Sequence, residues 1–148
     1  MTDPTLRRRD FTITRVFDAP RELVFAAWID PEQLARWWGP EGLHTPLETI
    51  EVDPRPGGAF RLTMVTPDGA HEFPSDMRFR EVVEPERLVY EWDAQRGLGA
   101  GEVTVTFADR DGRTEMTTYF VGETTDAMAK MSQEGWGTQL DKLDALLR

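Results

Sequence analysis

The chain has 148 residues and a formal net charge of -10, from 17 basic and 27 acidic side chains. This acidic balance disfavours nucleic acids and anionic membranes as partners, and the absence of cysteine excludes disulfides, thiolate metal sites and cysteine nucleophiles. A hydrophobic content of 39%, without an apolar run long enough to span a membrane, predicts one globular domain with a real core and no membrane insertion.

The N-terminal ten residues are polar and include three consecutive arginines at 7–9. We expect a solvated tail at residues 1–10, followed by a single domain at 11–148. The tail lacks the apolar segment of a secretion signal, so a cytoplasmic location is the simplest interpretation. Alternation then predicts a strand over 11–17, with Phe11 and Ile13 on one face.

Two short helices are predicted after this strand. Pro20 suits the start of the first helix, where apolar residues at 23, 24, 27 and 28 follow at helical spacing. Asp30, Pro31 and Gln33 form an N-cap, a first-turn proline and a capping-box position for the second helix. This helix runs into Trp37-Trp38 and ends at Gly39-Pro40.

The adjacent tryptophans Trp37 and Trp38 cannot fill the same position in a core. Neighbouring helical residues point about 100° apart. We therefore expect one ring to pack beneath the short helices and the other, Trp38, to border a second surface near Trp136.

The middle of the chain has the pattern of an antiparallel sheet. Apolar residues alternate with polar ones in successive segments that are separated by turn residues such as Pro67-Asp68-Gly69. The alternation places Arg15, Arg61 and Arg78 on outward faces. A flexible loop is expected at 97–101, and strands are expected near residues 45–52, 60–64, 77–80, 88–92, 103–107 and 116–120.

The chain is predicted to end in a long amphipathic helix at about 125–147. Its apolar stripe includes Met128, Met131 and Trp136. Gly135 and Gly137 each cost roughly 1 kcal/mol relative to alanine in such a helix. Either a close approach to the sheet or space for a ligand would offset that cost.

This order of elements predicts an α+β fold. A curved antiparallel sheet of about six to seven strands would wrap around the long C-terminal helix, with two short helices after the first strand. The space between sheet and helix is a natural ligand cavity.

Several motifs spread over nearly the whole chain resemble one known group of proteins. They are residues 14–20 (TRVFDAP), Val24-Phe25, 37–40 (WWGP), 57–61 (GGAFR), 85–89 (PERLV) and Gly135-Trp136. With these motifs the chain resembles the START-like (SRPBCC, birch-pollen-allergen) superfamily and, within it, proteins similar to the activator of heat-shock-protein-90 ATPase.

The resemblance implies the helix-grip fold and a hydrophobic cavity between sheet and C-terminal helix. It leaves the function open, since such folds serve binding proteins, cyclases and co-chaperone domains. The leading hypothesis is binding of a small hydrophobic molecule that is lipid-, polyketide- or aromatic-like, without a cofactor. The alternatives are a cyclase- or hydrolase-type enzyme that uses the same cavity, and a chaperone-associated interaction module. A protein partner or a homodimer also stays open.

The candidate ligand-binding side chains are aromatic and methionine residues assigned to inward faces. Methionine suits irregular pockets, and tyrosine adds a polar group. Met116, on a predicted strand, is also assigned to an inward face. The candidates are Trp38, Phe60, Met64, Met77, Phe79, Tyr90, Trp92, Met128, Met131 and Trp136.

Three polar residues are weak catalytic candidates. Glu81 follows the alternation of Met77 and Phe79 and is expected on the same inward face, and Glu134 precedes Gly135 on the last helix. Either carboxyl group would have a raised pKa if buried. His44 follows the Trp-Trp-Gly-Pro turn, near the expected cavity mouth. The two histidines of the chain lack metal-ligand spacing, so no metal site is expected.

Overall fold

A computed structural model describes residues 5–94 and 99–147. Its strands are β1 (Arg7–Phe17), β2 (Glu51–Val52), β3 (Ala59–Val65), β4 (Glu72–Val83), β5 (Arg87–Trp92), β6 (Gly101–Arg110) and β7 (Arg113–Thr124). Its α-helices are α1 (Arg21–Ile29), α2 (Pro31–Trp37) and α3 (Asp126–Leu147), and a short 3-10 turn covers Leu47–Thr49.

The seven strands form one antiparallel sheet in the order β1-β7-β6-β5-β4-β3-β2. The predicted α+β architecture is therefore confirmed, with two short helices after the first strand and one long C-terminal helix. β1 begins at Arg7, so four residues of the expected tail belong to the sheet. Residues 97 and 98 of the expected loop lie outside the described residues, and Gly101 already belongs to β6.

The inner face of the sheet carries the core because apolar residues alternate along each strand. On β6, Val103, Val105 and Phe107 are buried, while the residues between them are half-exposed. On β7, Met116 and Phe120 are buried in the same way. Such alternation is typical of a sheet with one face in the core and one in water.

The two short helices follow from local signals. The Asp30 side chain accepts a hydrogen bond from the Glu32 backbone N–H at 3.2 Å, as expected for an N-cap before Pro31. The Gln33 amide bonds the Asp30 carboxylate at 3.0 Å instead of the backbone. Gly39 ends the segment with a φ of 105°, which favours glycine.

Arg15 corrects the expected pattern of outward arginines. It lies on the inner face of β1 and donates to the Asp141 carboxylate at 2.8 Å and to the Gly137 carbonyl at 3.0 Å. These bonds attach α3 to the edge of the sheet. Arg61 and Arg78 are exposed, as predicted, and pair with carboxylates on neighbouring strands.

A β-bulge corrects the expectation for Glu81. The register of β4 against β5 shifts between Phe79 and Glu81, so Phe79 lies opposite Tyr90 while Glu81 lies opposite Val89. The extra residue turns Glu81 to the outer face. There it is exposed and pairs with Arg87 at 3.3 Å.

Candidate functional site

Four of the 5 tryptophans meet between the short helices and α3. Trp28, Trp37, Trp38 and Trp136 contact one another with ring centroids between 4.9 and 6.5 Å apart. Most of these contacts are edge-to-face, a geometry that aromatic pairs prefer. We call these four residues the tryptophan cluster.

Hydrogen bonds orient two rings of the tryptophan cluster. The Trp37 Nε1–H donates to the Ala27 carbonyl at 2.9 Å, and the Trp28 Nε1–H points to the Met116 sulfur at 3.3 Å. Both rings are fully buried. Trp37 is therefore the ring beneath the short helices, as expected for one member of the adjacent pair.

Trp38 extends the tryptophan cluster across the sheet. Its ring contacts Trp136 at 5.1 Å and Phe60 at 5.3 Å. Phe60 in turn stacks on Phe79 at 5.0 Å and meets Tyr90 edge-on at 5.0 Å. Burial raises the pKa of the Tyr90 phenol, which keeps it protonated. Aromatic side chains thus fill much of the interior where the sequence predicted a cavity.

The C-terminal half of α3 is firmly attached to the rest of the protein. In addition to the Arg15 bonds, the Thr138 hydroxyl accepts from the Glu41 N–H at 3.0 Å, and the Lys142 Nζ donates to the Leu43 carbonyl at 3.2 Å. Leu140 and Leu143 are buried. Partial burial lowers the pKa of Lys142.

The N-terminal half of α3 packs much less. We call residues 126–134 the open half of α3, because all of them are exposed except Ala129, which is half-buried. Helical geometry places Ala129 and Ser132 within about 40° of the direction of Trp136, toward the sheet. Ser132 is nevertheless exposed, so the sheet does not cover this side of the open half.

The inner face of the strands opposite the open half of α3 is apolar except for Arg9, which lies opposite Gly122, donates to the Thr124 carbonyl at 3.0 Å and lies 3.9 Å from the Asp126 carboxylate. α3 begins after β7 ends and returns over its inner face until Trp136 contacts Phe120 at 5.0 Å. Phe11 on β1 stacks on Phe120 at 4.3 Å. Beyond this pair, Gly101 and Gly122 lie side by side in the register of β6 and β7.

Trp92 covers the glycine at one side of this face. A Cβ added to Gly101 would lie 2.2 Å from the Trp92 ring, so only glycine allows the indole to lie there. The Trp92 Nε1–H donates to the Gly99 carbonyl at 3.2 Å. We call the region between these strand residues and the open half of α3 the cleft. On the strands it includes Arg9, Phe11, Trp92, Gly101, Phe120 and Gly122, and on the helix it includes Ala129, Ser132 and Trp136.

The predicted ligand-binding residues fall into three groups. Trp92 and Trp136 are half-buried and border the cleft, whereas Met64 is half-buried on β3. Met128 and Met131 are exposed, by 37% and 64%. The expectation that these two face inward is wrong, because Met131 lies about 140° around the helix from Trp136. The buried members of the prediction are Trp38, Phe60, Met77, Phe79 and Tyr90.

The three weak catalytic candidates occupy separate parts of the fold. Glu81 lies on the outer face of the sheet, Glu134 is exposed on α3, and His44 is exposed where its backbone pairs with Val65 at the end of β3. The structure does not bring them together. In the described residues, no group of three or more His, Cys, Asp or Glu side chains has the arrangement of a metal site.

Two other concave regions lie along the opposite edge of the sheet. One, of about 610 Å³, is lined by residues of the 3-10 turn and β2–β4, including Glu48, Glu51 and Asp76. The other, of about 320 Å³, includes Arg78 and Asp93. Their charged linings do not suit an apolar ligand. Across the described ranges, α3 and the other helices are too short or too polar to cross a bilayer.

Sequence reasoning missed several residues of the cleft as site residues. Gly101 and Gly122 were not singled out, although glycine within strands marks places where another group approaches closely. Two buried polar residues were also missed, Thr118 on β7 and Gln139 on α3. Gln139 could have been noticed because it is a polar residue within the apolar stripe of the last helix.

Comparison with known proteins identifies the family. The family described as Activator of Hsp90 ATPase homolog 1-like protein matches residues 18–148. No match was found among curated proteins.

Solved structures of bacterial proteins share the fold along nearly the whole chain. A protein from Nitrosomonas europaea is 26% identical with a TM-score of 0.82, and the match covers 93% of each chain. One from Chromobacterium violaceum is 28% identical with a TM-score of 0.83, over 93% of this chain and 96% of that one. An AHSA1-like protein from Aeromonas hydrophila is 29% identical with a TM-score of 0.78, over 93% and 94%. The chain therefore belongs to the Activator of Hsp90 ATPase homolog 1-like protein family.

Proposed function

We propose that the protein binds a small hydrophobic molecule in the cleft. The observation that carries this proposal is the exposure of Ser132 on the side of α3 that faces the sheet, at the end of the sheet that carries the half-buried rings of Phe11 and Trp92. Apolar surface that remains open to water inside a fold is typical of a binding site.

The dimensions of the side chains support an occupant of limited size. Gly101 and Gly122 contribute no side chains to the strand side of the cleft, and Ala129 and Ser132 contribute small ones to its helix side. A flat ring system therefore fits better than a bulky, branched molecule. The rings of Phe11, Trp92 and Trp136 offer faces and edges on which an aromatic ligand can stack.

The expected affinity follows from apolar burial. At about 25 cal/mol per Å², burying about 250 Å² contributes about 6 kcal/mol. This free energy corresponds to a dissociation constant in the tens of micromolar. Ordering the open half of α3 on binding would weaken the affinity further, since immobilised side chains lose entropy.

Titration of the intrinsic tryptophan emission with an apolar aromatic probe tests the proposal. N-phenylnaphthylamine is a suitable probe because it fluoresces on entering apolar sites. The decisive variant is Ser132→Phe. Ser132 is exposed in the wild-type protein, and a phenylalanine at this position would extend from α3 into the cleft. We expect it to weaken binding at least tenfold.

The matched control is Met131→Phe. It adds a similar ring on the preceding residue, but on the side of α3 that faces solvent, so binding should be unchanged. If Ser132→Phe and Met131→Phe bind the probe equally well, the probe binds outside the cleft. A wild-type protein that neither binds the probe nor gains thermal stability from it would overturn the proposed function.

The alternative functions lack such an observation. An enzyme in this cleft would need an acid or a base beside the ligand, and the three candidates Glu81, Glu134 and His44 lie elsewhere on the surface. Activation of a chaperone ATPase is what the family description names. A direct ATPase assay with the purified chaperone distinguishes that function from ligand binding.

A further inference from the structure

Two buried polar atoms lie unpartnered next to the inner end of the cleft. Among the described residues, neither Thr118 Oγ1 nor Gln139 Nε2 has a hydrogen-bond partner. Thr118 is 0% exposed and Gln139 is 3% exposed. Leaving such a group unsatisfied costs about 1–3 kcal/mol, so each of these atoms needs an explanation.

The register of the sheet places both residues over the same region. Trp136 contacts Phe120 on β7, and Arg15, which lies opposite Met116, reaches Gly137 and Asp141. α3 therefore passes from the level of residue 120 to that of residue 116. Gln139 lies between these two points on α3, and Thr118 lies between them on β7.

Both residues also point into the interior. Thr118 shares the inner face of β7 with Met116 and Phe120, which are buried. Gln139 precedes the buried Leu140 and lies about one helical turn after Trp136, on the same side of α3. The two orphan atoms therefore belong to facing elements at the same level of the sheet. Because neither atom is accessible to solvent, a ligand reaches them only if a neighbouring side chain moves.

The chemistry of the two atoms restricts what they can bind. The Gln139 Nε2 only donates hydrogen bonds, and the Thr118 hydroxyl donates one and can also accept. A group that satisfies both must therefore be a hydrogen-bond acceptor. The side chains of Met116, Phe120 and Leu140 nearby are apolar, and the Arg15 guanidinium is already paired with Asp141, so a charged acceptor would be costly to bury there.

We propose that Thr118 and Gln139 recognise a neutral carbonyl oxygen carried by the apolar ligand of the cleft. This inference rests on the proposed function and specifies its ligand as an aromatic ketone or a related carbonyl compound. The ring system occupies the cleft beside Phe11 and Trp92, and the carbonyl group extends past Trp136 to the two donors.

The local structure of α3 allows this passage. Trp136 is only half-buried and lies between two glycines. A Cβ added to Gly137 would meet nothing within 4 Å, so packing does not require glycine there. Glycine loosens the helix at that point, which lets the Trp136 ring turn aside.

A matched pair of ligands tests the inference. Methyl naphthyl ketone and isopropenylnaphthalene differ only by the exchange of a carbonyl oxygen for a methylene group. Wild-type protein should bind the ketone at least about fivefold more tightly, the usual value of one additional hydrogen bond. Calorimetry or tryptophan quenching measures both constants.

Three variants identify the donors. Thr118→Val and Gln139→Met should each reduce ketone affinity several-fold and leave alkene affinity unchanged. The control is Thr114→Val, because Thr114 is buried on the same face of β7 but its hydroxyl already donates to the Ala19 carbonyl at 2.7 Å. That variant should lose thermal stability and keep the preference for the ketone, whereas Thr118→Val should keep its stability.

The possible results separate this inference from the proposed function. Equal wild-type affinity for ketone and alkene would overturn the carbonyl site and leave hydrophobic binding intact. A ketone preference that survives in Thr118→Val and Gln139→Met, or an equal loss of both ligands, would also overturn it. If neither ligand binds the wild-type protein, the proposed function and the inference fail together.

Discussion

The guanidinium group of Arg15 on β1 joins the carboxylate of Asp141 on α3 at 2.8 Å and also donates to the Gly137 carbonyl. One side chain thus secures the helix immediately after Trp136. The open half of α3 begins on the other side of that residue. The bonds of Arg15 therefore mark where the attached part of α3 begins; the part of the helix before them borders the cleft.

We expect Arg15→Met to lower the free energy of unfolding by about 1 kcal/mol, since it removes a charge-assisted bond to a backbone carbonyl as well as a largely exposed ion pair. Asp141→Asn should cost less than half as much, because the bond to Gly137 persists. Urea denaturation measures both. Arg61→Met is the control, since Arg61 pairs only on the exposed outer face. An equal loss in all three variants would contradict the assigned role of Arg15.

The adjacent tryptophans should respond differently to the same substitution. Trp37→Phe removes the buried bond to the Ala27 carbonyl and leaves a small void, so we expect a loss of about 2–4 kcal/mol. Trp38→Phe keeps an aromatic ring between Phe60 and Trp136 and should cost about 1–2 kcal/mol. Thermal unfolding followed by circular dichroism compares them, and a larger loss for Trp38→Phe would refute the assignment.

Gly137→Ala should stabilise the protein by roughly 0.5–1 kcal/mol, because alanine favours the helix and its methyl group meets no neighbour. The same change should slow ligand association if the Trp136 ring must turn aside. Gly58→Ala is the opposite control, since its Cβ would lie 2.0 Å from the Asp53 carbonyl oxygen. Chemical denaturation and stopped-flow fluorescence provide the two measurements. A stabilised variant with unchanged association would show that the helix need not loosen.

The outer face of the sheet gives a prediction about pH. The Arg78 guanidinium bonds the Asp93 carboxylate at 3.1 Å and holds the pKa of that carboxyl group below its usual value. A carboxyl group with a lowered pKa in the folded state contributes stability above its unfolded pKa and loses it as the pH falls through the folded pKa. Arg78→Met should therefore destabilise the protein more near neutral pH than in acid below the folded-state pKa of Asp93.

Carboxyl NMR titration checks the cause directly. The pKa of Asp93 should rise in Arg78→Met. It should stay unchanged in Arg80→Met, since Arg80 pairs with Glu91 and Glu102 instead. A pKa of Asp93 that does not respond to Arg78→Met would exclude the ion pair as the cause.

The sheet and helices could be predicted from sequence because local patterns and global packing agree there. Phe60 and Leu62 alternate with exposed residues because one face of β3 is buried. Asp30 and Pro31 start a helix through interactions within a few residues. Trp38 contacts Trp136 as predicted, although the angle between adjacent helical positions requires only that the rings of Trp37 and Trp38 point apart.

The remaining features depend on partners distant in sequence or on small irregularities. Arg15 faces inward because α3, 126 residues later, supplies its acceptor. Glu81 faces outward because one bulge changes the register of β4. Met131 is exposed because the open half of α3 packs little, so an apolar stripe there does not mark a core. The location of the cleft could not be predicted from sequence, because it depends on the path of α3 over the sheet.

The pairing of β1 with β7 has a consequence for synthesis of the chain. β1 lies at the edge of the sheet and pairs with β7 alone, and Arg9 bonds the backbone of a residue 115 positions later. Of the described strands, the first to leave the ribosome is therefore the last to find its neighbour. Such distant pairing slows folding, because a long loop must close before the contact forms. β1 remains unpaired until β7 has been translated.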